Sequence, residues 1–350
     1  MTGLKAAMND EDQESRYLCV DSFMGDIISA RALTCAFEIG LISDLMQYQP
    51  CSFHNLNARL KIEPRGLRLL IDLLRASRVI DEQDEYLKLG GQFITAMQYR
   101  DLLETKLYFA NLVAPDFINL FTALITNPHQ FFEQAKIFEL FSYQRCFNPT
   151  QENYSLTARW MKITTALTKY EARVCIKHHD FSRHRRQLDI GGNSGEFVLR
   201  ICKDHPNIHA TVYDLPLVCD IGIQHVIAEP EAERIQFIKA NGSGEQIPQG
   251  FDLISFKSML HDWPDNEMDE FLAQAYKSLD TGGTLLIFER GQMEVGDTLP
   301  PYSIIPFLLF FRSYRTTECY KTCLEKLGFH DIKVMRIQLE MPFILITAKK

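Results

Sequence analysis

The chain lacks any run of apolar residues approaching the roughly 18–20 that cross a bilayer, and its start, MTGLKAAMNDEDQESR, carries acids and no hydrophobic core of a signal peptide. No membrane partner is expected, and a cytoplasmic location is. Basic excess is lacking as well: 37 Lys and Arg against 45 Asp and Glu leave a net charge of −8, with no overall basic surface to draw in phosphate backbones by counterion release. Nucleic acid is not an expected partner. The nine cysteines, scattered from Cys19 to Cys323, include no CxxC pair, and the histidines complete no zinc pattern, so reduced thiols and no metal are expected. With 18 Gly and 14 Pro among 350 residues, 46% hydrophobic and 23% charged, the composition excludes collagen, low-complexity repeats and disorder, and the length suits about two domains.

Residues 1–16 are polar and acidic and read as a mobile tail, with order expected from Tyr17. From there to about residue 96 apolar residues recur at three- and four-residue spacing in FMGDIISARALTCAFEIGLISDLM, HNLNARL and GLRLLIDLLRAS, followed by VIDEQDEYLKL. Helix, helix, helix and a short hairpin make a winged-helix pattern, expected as a dimerisation module over 17–96. Its alternative use, DNA reading through the helix 64–76, has only Arg65, Arg68 and Arg75 to work with among leucines. Residues 97–180 read as helices rich in aromatics, in YFANLVAPDFINLFTAL, FFEQAKIFELF and YSLTARWMKITTALTKYEARVCI. Faces apolar nearly all round imply burial against another element or another chain, or a ligand cavity. Over 181–350 the period switches to alternating strand and helix, which predicts an α/β domain with a parallel sheet, helices on both faces and a closing antiparallel hairpin from DIKVMRIQL and PFILITAKK.

In a doubly wound sheet the ligand lies over the carboxyl ends of the strands, so the residues just past each strand carry the information. The first group is Asp189-Ile-Gly191-Gly192-Asn193-Ser194-Gly195, a strand end entering a Gly-rich turn where backbone and ligand can approach closely. From Gly191 the third and sixth positions are Asn193 and Glu196 rather than glycine, which disfavours NAD. An acid two residues before the first glycine suits a positively charged ligand. The second is Asp214, about 20 residues on, where a carboxylate can bind both ribose hydroxyls of a nucleoside or cap the helix in YDLP. The third is Lys257-Ser-Met-Leu-His261-Asp262-Trp263-Pro-Asp265, in which His261 is placed for general-base work. Glu289, ending GTLLIFE, is the fourth; with the two strands adjacent, its carboxylate would hold the imidazole of His261 in one tautomer.

Together LDIGGNSGEF, VYDLP, FKSMLHDWPD and the IFE strand end, after FEIGLISDL and LRLLIDLLRAS, resemble the S-adenosylmethionine-dependent small-molecule O-methyltransferases, the group of plant caffeate and bacterial polyketide and carotenoid enzymes. The resemblance runs from about Tyr17 to Lys350, and the His-Asp-Trp run is its most specific element. It implies a Rossmann-like methyltransferase sheet, S-adenosyl-L-methionine as cofactor, a homodimer through the N-terminal domain, and a small-molecule acceptor held between the helical region and the sheet. It implies His261 as the base supported by Glu289. Cofactor contacts are implied for Asp189, Gly191, Gly192, Gly195, Asp214, Leu215 and Lys257, with Met161 near the sulfonium. The apolar wall for a flat acceptor is expected from Trp160, Tyr302, Phe307, Phe311 and Tyr314, the run PPYSIIPFLLFFRSYR serving alternatively as a dimer-contact core. Three departures stand out. Asn193 replaces the third glycine and needs a positive φ; Ala240-Asn241-Gly242 replaces Gly-Gly-Asp, leaving Asn241 to meet adenine; and Tyr314 stands where a second supporting acid is usual. Methylation at carbon or nitrogen on the same scaffold, and a non-catalytic adenosyl-binding regulator, remain as alternative readings.

Overall fold

Capping residues set the first helices. In the computed structural model, which describes residues 13–240 and 247–350, helical turns already begin with the 3-10 segment Gln13–Phe23. The Asp26 carboxylate accepts from the N–H groups of Ile28 and Ser29 at 2.8 and 3.0 Å and starts Ile27–Glu38. The apolar run expected as one helix is two, because Gly40 at φ +78° breaks it before Leu41–Tyr48. Ser52 caps Phe53–Leu60, and Glu63 with Pro64 opens Pro64–Ala76, which buries Leu67, Leu70, Ile71 and Leu74 at helical spacing. The strand β1 (Cys51–Ser52) pairs with β3 (Tyr86–Leu89), and β3 with β2 (Ile80–Gln83), Asp84 and Glu85 turning the hairpin at φ 51° and 68°. Arg68 and Arg75 both pair with Glu82, at 3.2 and 2.9 Å.

Two compact units emerge. Among the described residues one comprises 16–135 with 295–309; the other 13–15, 136–240, 247–294 and 310–350. The division thus falls at 135/136, inside the segment read from sequence as one helical stretch. There the run FFEQAKIFELF is not one helix but Pro128–Gln134 and Ile137–Leu140, split at Ala135. The first unit also holds the helix Arg100–Thr126, part of a stretch, Gly91–Thr126, long and apolar enough by composition to cross a membrane, which the count of uninterrupted apolar residues did not flag. Within it Lys106 is buried against Asp21 at 2.8 Å and Asp116 is buried, an arrangement suited to a protein interior.

The second unit is built on a seven-stranded sheet of β4 (Arg186–Ile190), β5 (His209–Asp214), β6 (Ile235–Lys239), β7 (Phe251–Lys257), β8 (Leu279–Arg290), β9 (His330–Gln338) and β10 (Pro342–Lys349). Its order is β6-β5-β4-β7-β8-β10-β9, parallel from β6 to β8 and antiparallel at β10 and β9. This is the α/β class read from the alternation of apolar runs. Leu188, Ile254, Leu285, Ile287 and Ile346 are buried as the strands demand, and helices Glu196–Asp204, Pro216–Val226, Asp265–Ser278 and Thr317–Leu327 connect them. The order reverses between β4 and β7, so the loops after β4, β5, β7 and β8 share the rim where such sheets bind ligands.

Candidate functional site

The turn after β4 is made by backbone. Gly191 and Gly195 have φ of +68° and +77°, and Asn193 has +55°, the left-handed conformation required for it to stand in for glycine. A Cβ on Gly191 would lie 2.4 Å from Met259 Cγ, and one on Gly192 would lie 2.6 Å from Asp189 Oδ2. Neither position tolerates a side chain without movement. Asp214 holds the turn: its Oδ2 accepts from Asn193 N and its Oδ1 from Leu215 N, each at 2.7 Å. The cap expected of it in YDLP is not made: the helix Pro216–Val226 has Leu215 at its N-cap and no side-chain cap, so the carboxylate ties the turn instead. The Asn193 Oδ1 accepts from Ser194 N at 2.8 Å and Thr164 Oγ1 at 3.2 Å, while Thr165 Oγ1 donates to Ser194 Oγ at 2.7 Å. Both threonines lie on the long helix Gln151–His178, which also carries Trp160 and Met161, both buried. Below the turn Asp189 is fully buried; Ser255 Oγ donates to its Oδ1 at 2.6 Å, and Oδ2 has no hydrogen-bond partner. Burial pushes the Asp189 carboxyl up to about 7 and that of Asp214 up to about 6.

The loop after β7 is made by side chains. Glu289, fully buried at the end of β8, accepts from Met259 N at 2.6 Å and Leu260 N at 2.8 Å through Oε1, and its Oε2 lies 2.7 Å from His261 Nδ1. That geometry orients the ring and leaves Nε2 on the opposite side, 3.4 Å from Asp262 Oδ1. Burial lowers the proton affinity of His261, but the Asp262 and Glu289 carboxylates outweigh it, so its pKa is raised. Tyr143 OH donates to Asp262 Oδ2 at 2.6 Å, and its ring stacks on Trp263 at 6.0 Å between centroids and leans on Trp160 at 5.4 Å. Arg315 clamps the loop from outside, donating to Leu260 O and, with Asp265, closing an ion pair at 2.8 Å.

The remaining expected residues are distributed as follows. Lys257 does not point into open space: its ammonium donates to Thr168 Oγ1 at 2.9 Å and pairs with Glu171. Tyr314 is buried with its ring 5.4 Å from that of His261, and burial raises its phenol. Phe311 is half-buried in the same unit, under the guanidinium of Arg312 at 4.3 Å. Tyr302 and Phe307 belong to the other unit, where Tyr302 OH donates to Asn111 Oδ1 at 3.1 Å and Phe307 meets Phe109 edge-on at 6.3 Å. Asn241 lies outside the described residues. Sequence reasoning did not single out Tyr143, Thr164, Thr165, Glu171 or Arg290. Only the apolar stripe of the long helix hinted at the threonines.

Residues 120–330 match the O-methyltransferase domain family, and the chain belongs to that family. A 3-hydroxy-5-methyl-1-naphthoate 3-O-methyltransferase of Streptomyces sahachiroi is 34% identical over 110 residues, 31% of this chain and 32% of that protein. The demethylspheroidene O-methyltransferase of Rhodobacter capsulatus is 28% identical over 205 residues, 57% of this chain and 49% of the relative, so the chain spans a third to a half of the length of these two. Among solved structures, human N-acetylserotonin methyltransferase in complex with SAM superposes with a TM-score of 0.68 at 19% identity, covering 98% of this chain and 99% of that one. That likeness is one of fold.

Proposed function

We propose that the protein transfers a methyl group from S-adenosylmethionine to a hydroxyl oxygen of an aromatic or otherwise apolar small molecule, of the kind made in secondary metabolism. The observation that carries the reading is the His261–Glu289 contact of 2.7 Å on the same rim as the Gly-rich turn. The residues of that turn fit the cofactor. The close backbone at Gly191 and Gly192 leaves no room for side chains, Asp214 stands at the end of β5, and the unpartnered Asp189 Oδ2 lies beneath the turn. Asp189, Gly191, Gly192, Gly195, Asp214 and Leu215 would hold the cofactor, with Met161 on the flanking helix. When bound, it supplies an electrophilic methyl group. His261 Nε2 takes the proton of the acceptor hydroxyl, and Glu289 holds Nδ1–H and balances the charge that the ring gains. Buried Trp160 and half-buried Tyr143 and Trp263 offer flat apolar surface beside the base.

Calorimetry with S-adenosylhomocysteine, followed by mass spectrometry of the purified protein for a bound acceptor, tests the reading; no binding of S-adenosylhomocysteine by the wild-type chain overturns it. A loss of turnover below about tenfold in His261→Ala at saturating acceptor would favour methylation of carbon or nitrogen, where Tyr314 beside the imidazole is the next residue to change. The protein works as a homodimer in this proposal, since Ile118, Phe121 and Ile125 leave an apolar stripe exposed on one helix, at 62%, 46% and 51%. Light scattering giving a stable monomer at micromolar concentration rejects the dimer.

A further inference from the structure

Consecutive side chains of a strand leave it on opposite faces, and at the end of β8 that rule separates two charges. Glu289 reaches the His261 loop. Arg290, 5% exposed, goes the other way. Its Nη1 donates to Ser258 Oγ at 3.1 Å, its Nη2 pairs with Glu171 and stands 3.7 Å from Glu340 Oε1, and its Cζ lies 4.8 Å from the centre of the Phe343 ring. These partners come from four places: the end of β7, the long helix Gln151–His178, the turn between β9 and β10, and β10 itself. Glu171, with 1% of its side chain exposed, also holds Lys257. Two cations and two carboxylates thus neutralise one another out of water.

Ser258 is the telling partner. Its φ is +49°, a conformation that favours glycine, and it is pinned by its own N–H to Phe288 O at 3.0 Å and by Arg290 at its hydroxyl. The two residues that follow it are those whose N–H groups point at Glu289. Whatever holds Ser258 in this turn therefore holds the carboxylate that orients the base.

We propose that Arg290 is a positioning residue for the His261–Glu289 pair: by gripping Ser258 it fixes the left-handed turn that presents the Met259 and Leu260 amides to Glu289. Through Glu171 it ties that turn to the helix whose Thr164 and Thr165 touch the Gly-rich turn, so the two halves of the rim share one anchor. The planar fork of a guanidinium holds its partners in a fixed geometry, whereas an ammonium is a point charge with rotatable donors. The inference rests on His261 acting as the base. The charged and titratable groups facing His261 are Asp262 in its own loop, Glu289 and Arg290 on β8, and Tyr314, with Tyr143 bonded to Asp262. Of the groups named, Arg290 is the positive one, and it opposes protonation of the ring.

The test needs no acceptor. In the full chain labelled at histidine, the His261 resonance is identified by its loss in His261→Ala and titrated by NMR. Arg290→Lys, which keeps the positive charge but loses the planar fork, is expected to loosen the Ser258 turn, weaken the Glu289 contact and lower the His261 midpoint by roughly 0.5–1 pH unit. Ser258→Gly fits the same backbone conformation and removes only the hydroxyl; the Met259 and Leu260 amides are then expected to exchange with solvent at least tenfold faster, with the fold intact. An unchanged midpoint in folded Arg290→Lys overturns the proposal, as does unchanged amide exchange in Ser258→Gly, which serves alone if Arg290→Lys fails to fold. Methyl transfer persisting in His261→Ala would remove the base assignment while leaving these titration and exchange results standing, so the two failures are distinguishable.

Discussion

The turn after β4 and the loop after β7 open onto one rim and are built by opposite means. In the first, glycines and one left-handed asparagine bring the main chain close, and a single carboxylate, Asp214, ties two N–H groups together. In the second, a buried carboxylate collects two N–H groups and an imidazole, and further charges stand behind it. The difference teaches where the site is sensitive. Backbone shape governs the first half and tolerates no added atom; charge and proton affinity govern the second.

Breaking the second half should have the largest effect. His261→Ala is expected to cut turnover by about 10²–10⁴ while S-adenosylhomocysteine binds as before, because a positioned base is worth that much and makes no ground-state contact with the cofactor. Steady-state kinetics beside calorimetry decides it; a parallel loss of affinity would erase the distinction between the halves. In the first half, Asp214→Ala frees two amides and takes a carboxylate from the end of β5. S-adenosylhomocysteine affinity is expected to fall at least tenfold, a lost hydrogen bond to a buried partner costing about 1–3 kcal/mol. Unaltered affinity would remove Asp214 from the binding surface.

Smaller effects sharpen the contrast. Gly192→Ala must displace either the turn or the Asp189 carboxylate, since the new Cβ would lie 2.6 Å from Asp189 Oδ2, so a loss on the order of 1–3 kcal/mol is expected in chemical denaturation. A stability equal to wild type would mean that the turn yields more easily than its packing suggests. Asp189 itself provides a pH signature in the half otherwise ruled by shape. Its carboxyl is raised to about 7, chiefly by burial, so the folded chain holds the proton more tightly than the unfolded chain does. Its contribution to stability is therefore greatest below the unfolded value near 4 and is lost as pH rises toward about 7. Asp189→Asn escapes that loss while keeping an acceptor for Ser255, so its stability relative to wild type should rise by about 2–3 kcal/mol from pH 5 to pH 8. Melting curves at the two pH values giving the same difference would show that burial does not control this carboxyl.

Much of the second unit was legible because local chemistry and fold agree there. The alternation of strand and helix gave the parallel sheet, and the runs DIKVMRIQL and PFILITAKK are the antiparallel strands β9 and β10. The helical stretches were less legible. Gly40 interrupts what periodicity reads as one helix, and the helix ending at Gln134 and its successor at Ile137 keep an apolar pattern across their break, so hydrophobic spacing alone does not see it.

The same division runs through the candidate site. By itself the sequence determined the strand-end residues Asp189, Asp214, His261 and Glu289 and the glycines between them, because strand length and parallel topology oblige the residue after each strand to face one rim. Only the tertiary structure decided what surrounds them. Tyr143 meets Asp262 across 119 residues, Lys257 meets Glu171 across 86, and Arg290 meets Glu171 across 119. No local propensity favours such pairs. They exist because burial of the rim strips water from these charges, and each must then find its partner among whatever the packing of helix, strand and hairpin brings within reach.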